Sequence, residues 1–316
     1  MNKRKVVIVG AGNVGATTAY TLSIKNLVDE ILFIDINEDK AKAESLDIVQ
    51  SLSFTNEKVN IKIGKYRECR DADIVILTMG ALDSHKSKTR LDFVERDSKI
   101  AMEVTKKIVS SGFSGIFLVA SNPVDVITYV VKKVSKFPAN KVIGTGTMLD
   151  TARLKTFLSE YTNISTNSIQ AFVIGEHGDS SVPLWSKCNI AGKQVFEYIE
   201  DNNLNLNDLN DIYIKTKNSG YDISSKKGFT CYGISMCIAN LIKAIYGAEN
   251  VIYPVSTYLN GEYGNKDICI GVPAIINRSG IGKVVELNLT RTEKNRFENS
   301  VKLLQSIQNN IKIEGK

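Results

Sequence analysis

A glycine-rich turn between an apolar run and a helix-forming segment constrains the fold more than any other part of this sequence. The apolar residues 6–9 lead directly into Gly10-Ala11-Gly12-Asn13-Val14-Gly15, and a helical pattern follows. This is the order of a β-strand, a tight turn and an α-helix. A sharp turn needs Gly10 without a Cβ, a bare Gly12 lets a ligand reach the backbone, and Gly15 lets the helix pack closely.

A second predicted strand ends on an acidic residue. Residues 31–34 are apolar and are followed by Asp35, twenty positions after Gly15. A carboxylate there can accept a hydrogen bond from a ribose hydroxyl, while the helix N-terminus binds a pyrophosphate. The alternative, a structural turn with a surface aspartate, is disfavoured because strand, glycines, helix, strand and acid occur in order. Since a carboxylate repels a 2′-phosphate, Asp35 predicts NAD as the cofactor rather than NADP.

The remaining pattern divides the chain near residue 146. Before it, strands are predicted at 73–78, 116–119 and 141–143, and helices at 38–52, 91–111 and from 124 onward. After it, helices are predicted at 147–161, 211–226, 232–246 and 291–311, strands at 168–174, 250–259 and 267–276, a hairpin within 182–195 and a surface connection at 200–211. We therefore predict an α/β fold in which a Rossmann-type doubly wound parallel sheet, residues 1–146, precedes an α+β substrate domain, residues 147–316.

Composition and charge argue against several classes of protein. With 316 residues and 43% hydrophobic content, the chain is long enough for two lobes. The net charge of +6 is spread along the chain, without a basic block interleaved with aromatic residues, so no nucleic-acid partner is predicted. The absence of a signal-peptide pattern or membrane-length apolar stretch predicts a cytoplasmic protein without a membrane partner. Five widely spaced cysteines without a CxxC pair predict neither disulfides nor a metal site.

Only two histidines are available for proton transfer. Hydride transfer between a nicotinamide and a carbonyl needs a proton donor with a pKa near neutrality, which imidazole provides. His85 lies in the polar segment 82–90, a candidate lid over the cofactor cleft, and a solvated surface position is favoured for it. His177 lies between Gly175 and Gly178 at a strand end, where the backbone can approach a ligand. Position alone leaves a catalytic role of His177 open.

Asp150 and Arg153 are three residues apart on a predicted helix and share one face. An exposed ion pair of small energetic value is the default interpretation. In the alternative, Asp150 binds the far nitrogen of His177 and fixes its tautomer, while Arg153 binds a substrate carboxylate through two hydrogen bonds. Spacing alone does not decide between them.

Taken together, these residues resemble the lactate and malate dehydrogenase family, more closely its lactate branch and the broader L-2-hydroxyacid dehydrogenases. The resemblance covers nearly the whole chain and rests on six motifs in order: Gly10–Gly15 with Asp35, Gly80-Ala81, Thr89–Asp92, Ser121–Asp125, Leu149–Arg153 and Gly175–Asp179. It implies that His177 is the general acid/base and Asp150 its orienting partner. It also implies that Arg153 clamps the substrate carboxylate and that Arg90 polarises the substrate carbonyl when the loop closes.

The resemblance also implies ligand-binding sets and a reaction. The substrate-binding set is Asp83, Arg90, Asn122, Arg153 and Thr230. The cofactor-binding set is Gly10, Gly12, Asn13, Val14, Gly15, Asp35, Lys40, Tyr66, Gly80, Ala81, Ser121 and Asn122. The implied reaction is reversible hydride transfer between NADH and pyruvate, in a homotetramer or a homodimer. The alternatives are a broader L-2-hydroxyacid dehydrogenase, a malate dehydrogenase and a non-catalytic NAD-binding module.

Two departures from the family pattern concern regulation and substrate choice. Where many bacterial lactate enzymes carry Arg and His at a fructose 1,6-bisphosphate site between subunits, this chain has Lys155 and Gln170, which predicts weak or absent activation. The loop between Gly80 and Arg90 is also one residue longer than usual.

That longer loop leaves open which residue meets the substrate side chain. The family has Gln there in lactate enzymes and Arg in malate enzymes. Counting from Gly80 gives Asp83, and counting back from Arg90 gives Ser84; Lys86 or Lys88 could still supply a positive charge. Because neither count gives an Arg, pyruvate is favoured over oxaloacetate, with room for bulkier neutral side chains such as that of 2-oxoisocaproate.

Overall fold

The computed structural model describes residues 3–80 and 90–313, except for the side chains of residues 90–93. The strands are β1 Lys5–Val9, β2 Glu30–Ile34, β3 Asn60–Ile63, β4 Ile74–Leu77, β5 Ile116–Val119, β6 Val142–Gly144, β7 Ile169–Gln170, β8 Val173–Ile174, β9 Val182–Pro183, β10 Asn189–Ile190, β11 Lys193–Gln194, β12 Val251–Asn260, β13 Lys266–Asn277 and β14 Gly280–Val284. The α-helices are α1 Asn13–Ile24, α2 Glu38–Leu52, α3 Arg90–Ser110, α4 Val124–Ser135, α5 Met148–Thr162, α6 Val195–Asp201, α7 Asp208–Lys227, α8 Tyr232–Gly247 and α9 Arg291–Asn309.

A nine-stranded sheet in the order β3-β2-β1-β4-β5-β6-β12-β13-β14 forms the centre of the molecule. Its first six strands are mutually parallel, and β12 to β14 extend it as an antiparallel part. The parallel order β3-β2-β1-β4-β5-β6 is that of doubly wound dinucleotide-binding folds. The prediction of a Rossmann-type sheet is therefore confirmed, with the addition of three antiparallel strands to the same sheet.

Helices cover both faces of the central parallel strands, which explains why β4 and β5 are apolar at every position and β1 and β2 at every position after the first. All five residues of β1 are buried. Val6 and Ile8 contribute to a core with α1, α2 and α8, whereas Val7 and Val9 contribute to a core with α3 and α4. Side chains alternate between the two faces of a strand, so burial on both faces needs an unbroken apolar run.

The second half of the chain departs from the predicted elements in three places. The single strand predicted at 168–174 is wrong, because β7 pairs with β10 while β8 pairs with β9 in a different sheet. The surface connection predicted at 200–211 is wrong at both ends, since α6 extends to Asp201 and α7 begins at Asp208. The third departure is the short strand β14, which was not predicted; in the first half of the chain, β3 was not predicted either.

The sheet does not stop at the proposed division near residue 146. Ser256 of β12 pairs with Gly144 of β6, which joins the strands of the two parts. A Cβ on Gly144 would overlap Thr128 of α4, so the close approach at this place requires glycine. The domain division itself stays a prediction. Within the described ranges, no helix is long and apolar enough to cross a membrane.

Candidate active site

The glycine turn after β1 is packed on one side and open on the other. Gly10 has φ +105°, and a Cβ there would lie 3.0 Å from backbone atoms of Thr78 and Met79. A Cβ on Gly15 would overlap the carbonyl oxygen of Gly10, to which Thr78 also donates a hydrogen bond at 2.9 Å. Around Gly12, by contrast, no described atom lies within 4 Å of the Cβ position. The turn therefore needs glycine at its packed positions and leaves room for a ligand at Gly12.

The N-terminus of α1 is positioned to attract an anion. Gly12 precedes the helix, provides no side-chain cap, and the first turn carries no acidic residue. The positive end of the helix dipole and its N–H groups therefore face the open side of the turn. Asp35 braces this turn from β2, because its carboxylate accepts hydrogen bonds from Ala11 N at 2.6 Å and from Asn37 N at 2.8 Å.

The other predicted cofactor residues lie along the carboxyl ends of neighbouring strands, where doubly wound folds bind ligands. Gly80 follows β4, and a Cβ on it would meet no described atom within 4 Å. Ser121 follows β5, is 5% exposed, and its hydroxyl has no hydrogen-bond partner within residues 3–80 and 90–313. The chain then continues through exposed Asn122. The unpaired buried hydroxyl of Ser121 and the open space at Gly12 lie on the same edge of the sheet, and both are suited to binding a dinucleotide.

The remaining members of the predicted cofactor set differ in exposure. Asn13 and Lys40 are exposed, whereas Val14 and Tyr66 are half-buried. Ala81 lies outside the described residues.

The histidine after β8 is paired with the acidic residue of α5. His177 Nδ1 lies 2.6 Å from Asp150 Oδ2, and the two side chains are 25% and 10% exposed. Asp150 occupies the first turn of α5, which suits a carboxylate. Among the described residues, His177 Nε2 has no hydrogen-bond partner, so this nitrogen is available to a ligand.

Burial and charge oppose each other at this pair. Burial lowers the pKa of His177, but the charge and hydrogen bond of Asp150 outweigh it and raise the pKa above its usual value. Burial raises the pKa of Asp150, but His177 and then Arg153 outweigh it, and the pKa is lowered. An ionised Asp150 therefore accepts from Nδ1–H, which leaves Nε2 to give or take a proton.

Arg153 lies one helical turn after Asp150 on α5. Its Nη1 donates to Asp150 Oδ1 at 3.3 Å, and its side chain is 14% exposed. A Cβ on Gly220 of α7 would lie 3.2 Å from Arg153 Nη2. The ion pair between Asp150 and Arg153 exists, but it is mostly buried, and Asp150 also binds His177. The default interpretation of an exposed ion pair is therefore wrong. The geometry is that of the alternative interpretation, in which Asp150 contacts the imidazole.

Hydrogen bonds from three sides hold the backbone around His177. Gly175, with φ +93°, donates to Gly271 O of β13 at 2.9 Å. Glu176 N donates to Ser300 Oγ of α9 at 2.7 Å, and His177 N donates to Asp125 Oδ2 of α4 at 2.8 Å. Sequence reasoning quoted Asp125 within a motif but gave it no role. In the sequence, the signal that could have singled it out is an acidic residue among the apolar residues 124–127 at the start of a predicted helix.

Part of the predicted site lies outside the described residues. This applies to residues 82–89 of the candidate lid at 82–90, including His85, Asp83, Ser84, Lys86 and Lys88. Arg90 begins α3, but its side chain is not described. Half-buried Thr230 precedes α8, which packs so closely on α5 that a Cβ on Gly233 would lie 2.7 Å from Leu149. Within the described residues, no group of His, Cys, Asp or Glu side chains is arranged to hold a metal ion.

Comparisons with known proteins decide the family. Residues 4–144 match the model for the lactate/malate dehydrogenase NAD binding domain, and residues 147–314 match that for the lactate/malate dehydrogenase alpha/beta C-terminal domain. The chain belongs to the lactate/malate dehydrogenase family. The resemblance stated from the motifs is therefore confirmed, and so is NAD as the cofactor, because the chain carries this family's NAD binding domain.

Within the lactate/malate dehydrogenase family, full-length relatives are named as lactate enzymes. The chain is 42% identical to an L-lactate dehydrogenase of Lactococcus lactis subsp. cremoris over 99% of both chains. It is 44% identical to an L-lactate dehydrogenase of Borrelia hermsii, covering 99% of this chain and 100% of the relative. A crystal structure of the minor L-lactate dehydrogenase from Enterococcus mundtii in a ligands-bound form superposes with a TM-score of 0.96, at 41% identity, over 99% of this chain and 100% of the other.

Proposed function

We propose that the protein is an NAD-dependent L-lactate dehydrogenase that reduces pyruvate to L-lactate reversibly. The observation that carries this proposal is the 2.6 Å contact of His177 with Asp150, which in turn binds Arg153. Such an arrangement combines a proton donor with a cation for a carboxylate, the two groups that reduction of a 2-oxo acid requires. Relatives at 42% and 44% identity that are named L-lactate dehydrogenases support the same substrate.

His177 is the general acid/base in this proposal. The bound nicotinamide cofactor supplies the hydride. His177 gives a proton from Nε2 to the oxygen of the 2-oxo group and takes it back in lactate oxidation. Asp150 fixes the tautomer and stabilises the imidazolium, because its own pKa is lowered and it stays ionised at neutral pH.

Arg153 holds the substrate carboxylate, and Arg90 opposes negative charge that develops on the carbonyl oxygen. The planar guanidinium of Arg153 presents two parallel donors, and among the described residues its hydrogen bond is the one from Nη1 to Asp150 at 3.3 Å. Asn122 and Thr230 complete the substrate site. Asp83 is assigned to the substrate side chain by the motif count alone.

The cofactor is held at the carboxyl ends of β1, β4 and β5. The N–H groups of the turn at Gly12 bind the pyrophosphate, supported by the open space at this position. Asp35 accepts from a ribose hydroxyl, since its two oxygens offer about four acceptor positions and two are in use. The other contacts are assigned to Gly10, Asn13, Val14, Gly15, Lys40, Tyr66, Gly80, Ala81, Ser121 and Asn122.

A substrate panel tests the proposal directly. Oxidation of NADH is followed with pyruvate, 2-oxoisocaproate and oxaloacetate, and kcat/KM is compared. We expect pyruvate first and oxaloacetate last. Oxaloacetate in first place would make the protein a malate dehydrogenase, and 2-oxoisocaproate would make it a broader hydroxyacid enzyme. No turnover with any of them, despite NADH binding, would leave a non-catalytic NAD-binding module.

A homotetramer or homodimer in the cytoplasm is also part of this proposal. Large apolar side chains are exposed on α2 and just after it, including Leu46 and Phe54, and on α7 and α8, including Tyr221 and Tyr232. Exposed aromatic and apolar side chains of this size would become buried if these helices form subunit interfaces. The five cysteines are free thiols, as is usual in a reducing compartment. Light scattering after size-exclusion chromatography gives the number of subunits, and a monomer would contradict the assembly.

A further inference from the structure

A tyrosine of α7 that the mechanism above does not use contacts the segment that carries the proposed general acid. The hydroxyl of Tyr213 donates a hydrogen bond to the carbonyl oxygen of Ser181 and lies 3.0 Å from Ser181 Oγ. Because the phenol gives its one proton to the carbonyl, the serine hydroxyl is the donor in the second contact. Ser181 is 8% exposed and lies four positions after His177. These two bonds therefore fix the end of the His177 segment, residues 177–181, on α7.

The His177 segment is a closed turn, so holding its end also holds the histidine. Ser181 N donates to Gly178 O at 3.3 Å, and Ser180 Oγ donates to Glu176 Oε2 at 2.6 Å. A Cβ on Gly178 would lie 2.8 Å from the carboxylate carbon of Glu176, so the turn is tightly closed on itself. A turn this compact moves as a unit, and a displacement of Ser181 is passed to His177.

Helix α7 contacts the other charged group of the site as well. Gly220 lies seven positions after Tyr213, which is about two helical turns, so both residues are on the same face of α7. A Cβ on Gly220 would lie 3.2 Å from Arg153 Nη2, so the guanidinium lies directly against the backbone of α7. One helix therefore supports both the segment of the proton donor and the cation for the substrate carboxylate.

We propose that Tyr213 is a positioning residue that fixes the His177 segment on α7 and thereby keeps the imidazole in place between Asp150 and the substrate. This proposal deepens the proposed function and rests on it where it concerns turnover. In this role Tyr213 does not touch the substrate or the cofactor; it acts through Ser181 and the turn.

The hydroxyl of Tyr213, more than the packing of its ring, sets the position of this side chain. The ring borders two adjoining cavities of about 400 Å³ and 410 Å³ between α7 and α9, which also share Asn210 and Arg296. A ring with open space on one side lacks packing partners there, so its hydrogen bonds decide where it lies. Burial raises the pKa of Tyr213, so the hydroxyl stays protonated and remains a donor at neutral pH.

The test is Tyr213→Phe, which keeps the ring and removes the hydroxyl. The first measurement is the pKa of His177, which needs no turnover. The chain has only two histidines, so ¹³C-labelled imidazole gives two ring signals by NMR, and loss of one in His177→Asn assigns it. Asp150 raises the pKa of His177 above its usual value, so loosening their contact returns the pKa toward that lower value. We expect a fall of about half a unit in Tyr213→Phe.

The matched control is Tyr263→Phe. Tyr263 is also half-buried, and its hydroxyl donates to Val285 O at 3.0 Å and accepts from Leu287 N at 3.0 Å. Because both variants lose two hydrogen bonds of a buried hydroxyl, both should be less stable in urea, but only Tyr213→Phe should change His177. An unchanged pKa of His177 in Tyr213→Phe, or an equal fall in the control, overturns the proposal.

Kinetics then separate this proposal from the proposed function. A displaced proton donor slows the chemical step more than it weakens binding, so kcat for pyruvate should fall by about tenfold in Tyr213→Phe. The KM for pyruvate and the Kd for NADH should stay the same, and the control should match the wild type. An unchanged kcat, with or without a rise in KM, overturns the proposal. A fall in the pKa of His177 in Tyr213→Phe with no pyruvate turnover in the wild type would refute the lactate assignment and support Tyr213.

A second variant serves if Tyr213→Phe does not fold. Ser181→Ala removes the serine hydroxyl and leaves the bond from Tyr213 to the carbonyl oxygen of residue 181. The pKa of His177 should then fall in the same direction by a smaller amount, and no fall overturns the proposal.

Discussion

At the scale of single residues, Asp150 organises the site because each of its oxygens has a different partner. Oδ2 binds His177 and Oδ1 binds Arg153, so one carboxylate sets the distance between an imidazole and a guanidinium. Neither partner is free to turn away without leaving a buried charge unpaired, which costs several kcal/mol.

Replacement of His177 by Asn should abolish proton transfer and leave cofactor binding intact. The cofactor is assigned to the turn at Gly12 and to Asp35, whereas general acid catalysis contributes about 10²- to 10⁴-fold to the rate. We expect kcat to fall by that factor while the Kd for NADH, measured by fluorescence, stays the same. Near-normal turnover would show that another group donates the proton.

Replacement of Arg153 by Lys should weaken substrate binding. An ammonium cannot reproduce the two parallel hydrogen bonds of a guanidinium, and losing one charged hydrogen bond lowers kcat/KM for pyruvate by about tenfold to a hundredfold. Arg296→Lys on the exposed face of α9 is the control and should have no effect. Steady-state kinetics of both variants decide, and an unchanged KM in Arg153→Lys would reduce this residue to an ion-pair partner of Asp150.

Replacement of Asp35 by Ser should relax the preference for NADH. The change removes a negative charge that faces the 2′ position and keeps a hydroxyl, so the ratio of kcat/KM for NADPH to that for NADH should rise by about tenfold or more. The KM for NADH should also rise, because Asp35 no longer braces Ala11 N. Asp39→Ser, an exposed change in α2, is the control. No rise in NADPH use would contradict the role of Asp35.

At the scale of elements, α9 depends on a capping box that also ties the helix to the segment after β9. Thr290 Oγ1 accepts from Glu293 N, and Glu293 accepts from Thr290 N and from Ser186 N and Oγ. We expect Thr290→Ala to cost about 1 kcal/mol of unfolding free energy. Urea denaturation measures it, with Thr292→Ala, an exposed change in the same turn, as the control; equal stability of the two variants would show that the cap contributes nothing.

The pH dependence of this cap follows from the pKa of Glu293. Burial raises that pKa, but the hydrogen bonds from Ser186 and Thr290 outweigh it and lower the pKa below its usual value. The stabilisation is therefore complete above the unfolded-state pKa and is lost as pH falls through the folded-state pKa.

Helices and strands could be predicted from the sequence where burial of one or both faces imposes a clear pattern of apolar residues. Helix α2 was predicted with its observed bounds, Glu38–Leu52, because one face is apolar; the structure adds that Asn37 caps it by accepting from Lys40 N. Edge strand β3 was missed because its residues alternate between exposed and half-buried, and β14 because two of its five residues are glycine. Helix α6 was missed because its buried face consists of Val195 and Ile199 alone.

The same reasoning explains which parts of the site could be predicted. The glycine turn proposed to bind the pyrophosphate is local, so its glycines and Asp35 could be predicted from spacing. The contact between His177 and Asp150 joins residues 27 positions apart, and spacing left it open. Asp125 lies 52 positions from His177 and contacts its backbone, which no pattern of side chains reports.

At the scale of the whole molecule, activation by fructose 1,6-bisphosphate should be weak or absent. The positions that match the family's inter-subunit site are Lys155 and Gln170. Lys155 offers a point charge instead of a planar guanidinium, and Gln170 carries no charge where the family has an imidazole. Burial also lowers the pKa of Lys155. Titration of the sugar bisphosphate at subsaturating pyruvate measures the effect, and a large fall in the apparent KM would refute this prediction.

The mixed sheet has a consequence for synthesis of the chain on the ribosome. The six parallel strands are complete once β6 ends at Gly144, but the second partner of β6, on the side away from β5, is β12, which begins only at Val251. Until that strand emerges, the nascent chain carries an unpaired sheet edge, and such edges associate readily with other chains. Misassociation therefore threatens the half-translated chain far more than the finished enzyme, in which β12 to β14 cover that edge.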